Sequence, residues 1–141
     1  MAEHSHTTTD SSLRCVVVTP EATVVDTAAE FVAVPMIDGE YGIAPGHSPV
    51  IGRLGYGELR IRTGSGVKRF FADGGFVQVA NDVVSVLTNR AIAKERIDFV
   101  AATELLATAL ARPAVGDEQL TFRERAIAQA RGQLRVATRF A

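Results

Sequence analysis

Asp38-Gly39-Glu40-Tyr41-Gly42-Ile43-Ala44-Pro45-Gly46-His47-Ser48-Pro49 comes just after the apolar run Phe31-Val32-Ala33-Val34. Asp-Gly is a tight-turn signal, because the φ > 0 such turns need suits glycine and is tolerated by aspartate. Pro45 and Pro49 fix their own φ and bias Ala44 and Ser48 towards extended backbone. The stretch is therefore expected to be a rigid, shaped loop, a good platform for a recognition surface. A loop of this kind belongs between strands.

On both sides of it the chain reads as short strands. Cys15 to Val18, Thr23 to Val25 and Phe31 to Val34 are β-branched or aromatic runs, with Thr19-Pro20-Glu21 as the first turn. Glu58-Leu59-Arg60-Ile61-Arg62 alternates strictly, which predicts Leu59 and Ile61 on a core and the charges in water. Gly64-Ser65-Gly66 is expected to reverse the chain into Val67 to Ala72, Gly74-Gly75 to reverse it again into Phe76 to Ala80, and Asn81-Asp82 into Val83 to Leu87. Turn-bounded strands at this spacing predict an antiparallel sandwich or flattened barrel.

The period changes after Arg90. Phe99, Ala102, Leu105, Leu106, Ala109 and Leu110 recur at helical spacing between Ile97 and Ala111, in a sector of roughly 140°. Pro113 and Gly116 end that helix, and Asp117 or Thr121, the latter in a capping box with Glu124, is expected to start the next. The second helix, about 118–140, gathers Ala126, Ile127, Ala130, Leu134 and Ala137 on one side. Two such stripes predict an antiparallel hairpin that docks weakly and is free to change partners. The fold class is α+β: an N-terminal antiparallel β-sandwich or flattened barrel over residues 13–89, followed by a C-terminal two-helix hairpin over 90–141.

Composition narrows the function. A net charge of -1 gives no bulk attraction to nucleic acid or to an anionic membrane. No stretch approaches the roughly 20 apolar residues of a membrane helix, so a membrane role must be peripheral. Residues 1–12 are polar, with His4 and His6, and read as a disordered leader without a secretory h-region. The single cysteine, Cys15, excludes an internal disulfide, fits a reducing compartment and is expected to be a buried thiol.

The opening stretch fits G-E-x-G-I-x-P-G-H-x-P, through Gly39, Glu40, Gly42, Ile43, Pro45, Gly46, His47 and Pro49. That pattern resembles the signature of the epsilon subunit of the F-type proton-translocating ATP synthase, called delta in mitochondria. Phe70 to Asn89, with its Gly-Gly step and valine-rich strands, resembles the last β-hairpin of the same family. A β-sandwich followed by an Ala-rich helical hairpin is the family's architecture, and the resemblance runs from about Leu13 to Phe140. It implies a non-catalytic central-stalk subunit that couples rotation of the c-subunit ring to ATP synthesis, at the cytoplasmic face of the bacterial cell membrane. Its partners would be the gamma subunit, the c ring and the alpha/beta catalytic head, with membrane association only through the complex. Glu40 would face the c ring and His47 the gamma subunit. Arg131, Arg135 and Arg139 fall four residues apart on a strip of the last helix, which spacing alone leaves equally a solvated basic face; the resemblance implies a contact to the catalytic head that inhibits ATP hydrolysis.

Some bacterial members of the family bind ATP through an I-D-x-x-R-A motif. Ile97, Asp98 and Ala102 match it, but Ala101 stands in place of the arginine and offers neither charge nor donor fork. No cofactor is expected. Metal binding is not expected either, since no Cys/His spacing for zinc occurs, and neither does a phosphate loop or a Gly-x-Ser-x-Gly elbow. Two other readings are a free-standing β-sandwich ligand-binding module with a helical dimerisation arm, and a small cysteine hydrolase using Cys15 and His47. The first needs an apolar pocket that a chain without tryptophan is poorly equipped to line. The second fails on a cysteine in mid-strand.

Overall fold

The computed structural model describes residues 12–139. All of the leader expected over residues 1–12 except Ser12 lies outside the described residues, as does Phe140. Eight strands come first: β1 (Leu13–Val18), β2 (Thr23–Ala29), β3 (Phe31–Met36), β4 (Gly39–Ile43), β5 (Val50–Thr63), β6 (Gly66–Ala80), β7 (Val83–Leu87) and β8 (Ala91–Ala93). A 3-10 turn at Lys94–Arg96 leads into helices α1 (Phe99–Ala111) and α2 (Asp117–Thr138).

The strands hydrogen-bond in the order β2-β1-β7-β6-β5-β3-β4, with β8 paired to β6. Although three strands separate β2 from β5 along that path, the two lie in contact, because the sheet folds over on itself. Its inner faces enclose one core: Leu13, Cys15, Val17, Val32, Val34, Ile43, Leu59, Ile61, Val77, Val79, Val84 and Val86 are essentially sealed from water. The expected β-sandwich and helical hairpin are both present. One pairing departs from antiparallel: the β6–β7 hairpin brings β7 back beside β1 in the same direction, Cys15 against Val84 and Val17 against Val86.

The fold is carried by the β5–β6 ribbon, paired without a register shift from Val50↔Val79 to Thr63↔Gly66. Gly74-Gly75 does not reverse the chain, contrary to the turn expected there, and β6 runs straight through. These glycines bend the ribbon: the side-chain alternation changes phase, so Phe70 and Ala72 face the core before them and Val77 and Val79 after them. Gly75 adopts φ 112°, and a Cβ there would lie 1.9 Å from the Leu87 carbonyl oxygen, so β7 can approach only because no side chain is present. Asn81-Asp82 is the two-residue turn expected, both residues having φ > 0.

The opening stretch is not all loop. Gly39–Ile43 forms β4, because the Ile37–Asp38 turn closes a hairpin in which Met36 pairs with Gly39 and Val34 with Tyr41. Ile43 points into the core and Glu40 out of the sheet, and only residues 44–49 remain irregular.

The helices also start differently from the sequence reading. Asp98 caps α1, its side chain accepting from the Ala101 amide at 3.0 Å. At α2 the N-cap is Gly116 at φ 85°, while Thr121 and Glu124 lie inside the helix, so neither Asp117 nor Thr121 caps it. Gln119 Oε1 accepts from the Val115 amide at 3.0 Å and ties the linker down instead. Ala102 and Ala109 of α1 are buried, as is Ala130 of α2, and Phe99, Leu105 and Leu110 of the predicted stripe stay exposed.

Helix α2 has a second packing face, which its apolar stripe did not predict. It covers the outer face of the β5–β6 ribbon on the Phe71 side of the bend, where Gly132 lies against the sealed Phe71 ring, and Gln133 and Val136 of α2 are buried as well.

Candidate functional site

The residues singled out in the sequence occupy two regions. In the first, Glu40 stands half-exposed on β4, and its Oε2 accepts from Arg60 Nη1 at 2.8 Å. The Arg60 guanidinium is held above its ordinary pKa by that hydrogen bond first, against the opposing effect of burial. His47 lies in the loop after β4. Its Nδ1 is 2.6 Å from the Ser48 carbonyl oxygen, which only accepts, so Nδ1 carries the proton. In the neutral ring Nε2 then accepts from the Tyr41 hydroxyl at 3.0 Å, and the two rings meet edge to face. The loop is pinned by Gly46, whose amide donates to Asp82 Oδ1 at 2.7 Å, and by the His47 amide donating to Ala44 O. Glu40 and His47 thus sit at the two ends of one rigid turn-strand-loop unit.

The second region is the seam between α2 and the ribbon. Gln129 Nε2 donates to Asp73 Oδ1 at 2.9 Å, and Arg90 Nε to the other oxygen of that buried carboxylate at 3.1 Å. Arg135 Nη2 donates to the Tyr56 carbonyl at 3.3 Å, and Arg139 Nη1 lies 3.3 Å from Glu58 Oε1. Arg131 has no ion-pair partner among the described residues. It lines an open groove of about 790 Å³ with Arg53, Arg123, Arg135 and Glu124, between α2 and the β3–β4 turn. Two of the three predicted arginines therefore hold the helix to the sandwich in this arrangement.

Glu58 corrects the expectation that the charges of its strand face water. It is buried because α2 roofs it over, and Arg60, Arg69 and Arg139 surround it. Sequence alternation marks which face of a strand a residue takes, but not whether a helix covers that face.

A third feature was not singled out from sequence. On the Phe76 side of the bend the outer face of the sandwich stays largely open among the described residues. Across it run Val18, Leu87, Phe76 and Arg53 in one row and Val16, Ser85, Gln78 and Ile51 in the next. Ile51 is 73% exposed, and Phe76 and Leu87 52% each. The available signal was Phe76 itself, an aromatic out of phase with the inward Val77 and Val79. Adjacent exposed apolar side chains on one face of a sheet mark a candidate interaction surface.

Cys15 is sealed in the core, and burial, with a smaller push from Asp26, raises its thiol to about 12. A thiol so poised supplies no thiolate nucleophile near neutral pH. Among the described residues no group of three or more His, Cys, Asp or Glu could hold a metal ion, and no helix is long and apolar enough to cross a membrane.

Comparisons with known proteins bear on the fold and the family. Residues 12–94 match the family model for the ATP synthase delta/epsilon chain β-sandwich domain. The ATP synthase epsilon chain of Rhodopirellula baltica is 55% identical over 126 residues, covering 89% of this chain and 98% of that protein. The epsilon chain of Leptospira borgpetersenii is 37% identical over 91 residues, 64% of this chain and 72% of that one. Two solved structures share the fold. A chain of the Euglena gracilis mitochondrial ATP synthase OSCP/F1/c-ring assembly matches at TM-score 0.78 and 20% identity, over 86% of this chain and 79% of that one. A chain of the Tetrahymena thermophila mitochondrial ATP synthase central stalk and c-ring matches at TM-score 0.72 and 14% identity, over 89% and 96%. The chain belongs to the delta/epsilon family of ATP synthase subunits.

Proposed function

We propose that the chain is a non-catalytic rotor subunit of the F-type ATP synthase, coupling proton-driven rotation of the c ring to ATP synthesis. The observation that carries this reading is the bare apolar patch of Ile51, Phe76 and Leu87 on a sandwich of this family. A rotor subunit transmits torque through docked surfaces, and this patch offers one with a rigid sheet behind it. Gamma is the partner assigned to it. The turn-strand-loop unit bearing Glu40 and His47 lies on a separate face and is assigned to the c ring, with His47 towards gamma. The β domain, residues 13–89, is then the partner-binding part, and 90–141 a movable arm whose Arg131, Arg135 and Arg139 reach the alpha/beta head and slow ATP hydrolysis when released. The subunit is peripheral, at the cytoplasmic face of the membrane, and reaches it only through the complex. Ala101 removes the arginine of the nucleotide motif, and Asp98 is engaged as a helix cap, so the arm senses no nucleotide.

Solubilised native membranes, precipitated through a tag on this chain, test the assignment. Gamma and the c ring are expected in the precipitate; recovery of this chain without gamma refutes it.

A further inference from the structure

Glu58 collects guanidinium groups from three separate stretches. Arg60 Nη1 lies at 3.3 Å from its own strand, Arg69 Nη1 at 3.1 Å from each oxygen, and Arg139 Nη1 at 3.3 Å from the residue after α2. The same Nη1 of Arg60 donates to Glu40. Charged side chains therefore run unbroken from the β4 surface to the end of the last helix, in the order Glu40, Arg60, Glu58, Arg139. Lys94 adds a hold of its own by donating from Nζ to the Arg139 carbonyl.

The members of this cluster are not equally bound. Glu58 has a side chain 5% exposed and Arg69 one 14% exposed, and they face each other with two contacts. Arg139 is 53% exposed. Stripping a buried carboxylate of its partner is strongly unfavourable, but removing Arg139 leaves Glu58 satisfied by Arg69 and Arg60. The outer member can leave while the inner pair stays intact.

We propose that Glu58 is a releasable latch for helix α2 and that Glu40 sets its hold. Glu40, Glu58, Arg60, Arg69 and Arg139 together carry an excess of one positive charge. A cationic group of a partner that engages Glu40 displaces Arg60, whose charge then falls on Glu58 alone. The excess around Glu58 rises and Arg139 is released. By linkage the effect is reciprocal: once Arg139 has left, Arg60 is drawn to Glu58, and Glu40 is freer to take the cationic partner. Contact at one surface of the sandwich thereby biases the arm without any contact to it. This inference rests on the arm being movable, not on the arm braking catalysis. The test uses the isolated chain, so the brake can fail while the latch holds.

Amide hydrogen exchange at Val136, Ala137 and Thr138 is compared in the wild type, Glu40→Gln, Arg139→Gln and the double variant. Each single change is expected to speed exchange there about two- to fivefold, as for loss of one partly screened pair. The double variant should be no faster than Arg139→Gln alone, with Val77 and Val79 in the core unchanged. Wild-type rates in Arg139→Gln overturn the latch. Wild-type rates in Glu40→Gln, or the same acceleration by Glu40→Gln with Arg139 already removed, overturn the coupling. Equal acceleration at Val77 and Val79 marks general destabilisation and overturns both.

Discussion

Gly132→Ala tests whether α2 is docked as described, because two effects of opposite sign compete at that position. In a solvent-exposed helix interior, glycine to alanine stabilises by about 1 kcal/mol. Here the added Cβ would lie 2.8 Å from Phe71 Cε1 and 2.8 Å from the Tyr56 carbonyl oxygen. A ring sealed in the seam and a strand backbone cannot step aside as the tip of a flexible side chain can. Ordinary contact needs about 3.5 Å, so the helix must move out by roughly 0.7 Å. That shift strains the packing, at about 1–3 kcal/mol. It also lengthens the Gln129–Asp73 and Arg135–Tyr56 bonds, worth about 1 kcal/mol each. The clash outweighs the propensity gain, leaving a net loss of about 1–3 kcal/mol concentrated in the seam. Amide exchange across α2, together with urea denaturation of the isolated chain, reads both location and size. A variant stabilised by about 1 kcal/mol with unchanged protection across α2 would refute this packing.

Three further outcomes are expected. The Cys15 thiol is raised from 9.0 to about 12, so it stays protonated in the folded chain while the unfolded chain ionises above pH 9. Its contribution is full below pH 9 and falls as pH rises towards 12, by about 1.4 kcal/mol per unit; Cys15→Ala should flatten that slope in denaturation midpoints measured from pH 8 to 11. Glu40→Arg breaks the half-exposed pair with Arg60, should cost about 1 kcal/mol of stability and weaken ATP-driven proton pumping in reconstituted membranes, whereas normal pumping would remove Glu40 from the c-ring contact. Deleting 117–141 should leave a subunit that still assembles with gamma, in a complex that hydrolyses ATP faster than the intact one at low salt; equal rates across a range of salt would end the brake reading.

Much of the sandwich was legible because its cues are local. Asn81-Asp82 sets its own backbone, and Leu59 and Ile61 declare an inner face by alternation. What the sequence hid depends on contacts made at long range. Gly74-Gly75 reads as a turn, and only the approach of Leu87 shows that it is a bend. Glu58 reads as a wet residue until α2 lies over it. Gly132 was not singled out at all, and only the packing shows it as the notch against Phe71 and the Tyr56 carbonyl. The opening stretch was recognised by its residue pattern, yet Gly39–Ile43 within it is strand, since Tyr41 and Ile43 find pairing partners in β3. Arg131, Arg135 and Arg139 were grouped by helical spacing, which cannot reveal that two of them are engaged by the sandwich. The bare patch was missed because Phe76 sits within an apolar run where both faces of the strand look alike.

The most direct measurement is titration of purified gamma subunit with the wild-type chain and with Phe76→Asp. Phe76 is half exposed, so the substitution should cost about 1 kcal/mol of folding stability and leave the chain folded. If the rotor docks through the bare outer face, the wild type binds saturably and Phe76→Asp binds at least about tenfold more weakly, as for an anchor residue at an interface centre. Equal affinities for the two chains would contradict docking through that face, and no binding by the wild type would contradict gamma as its partner.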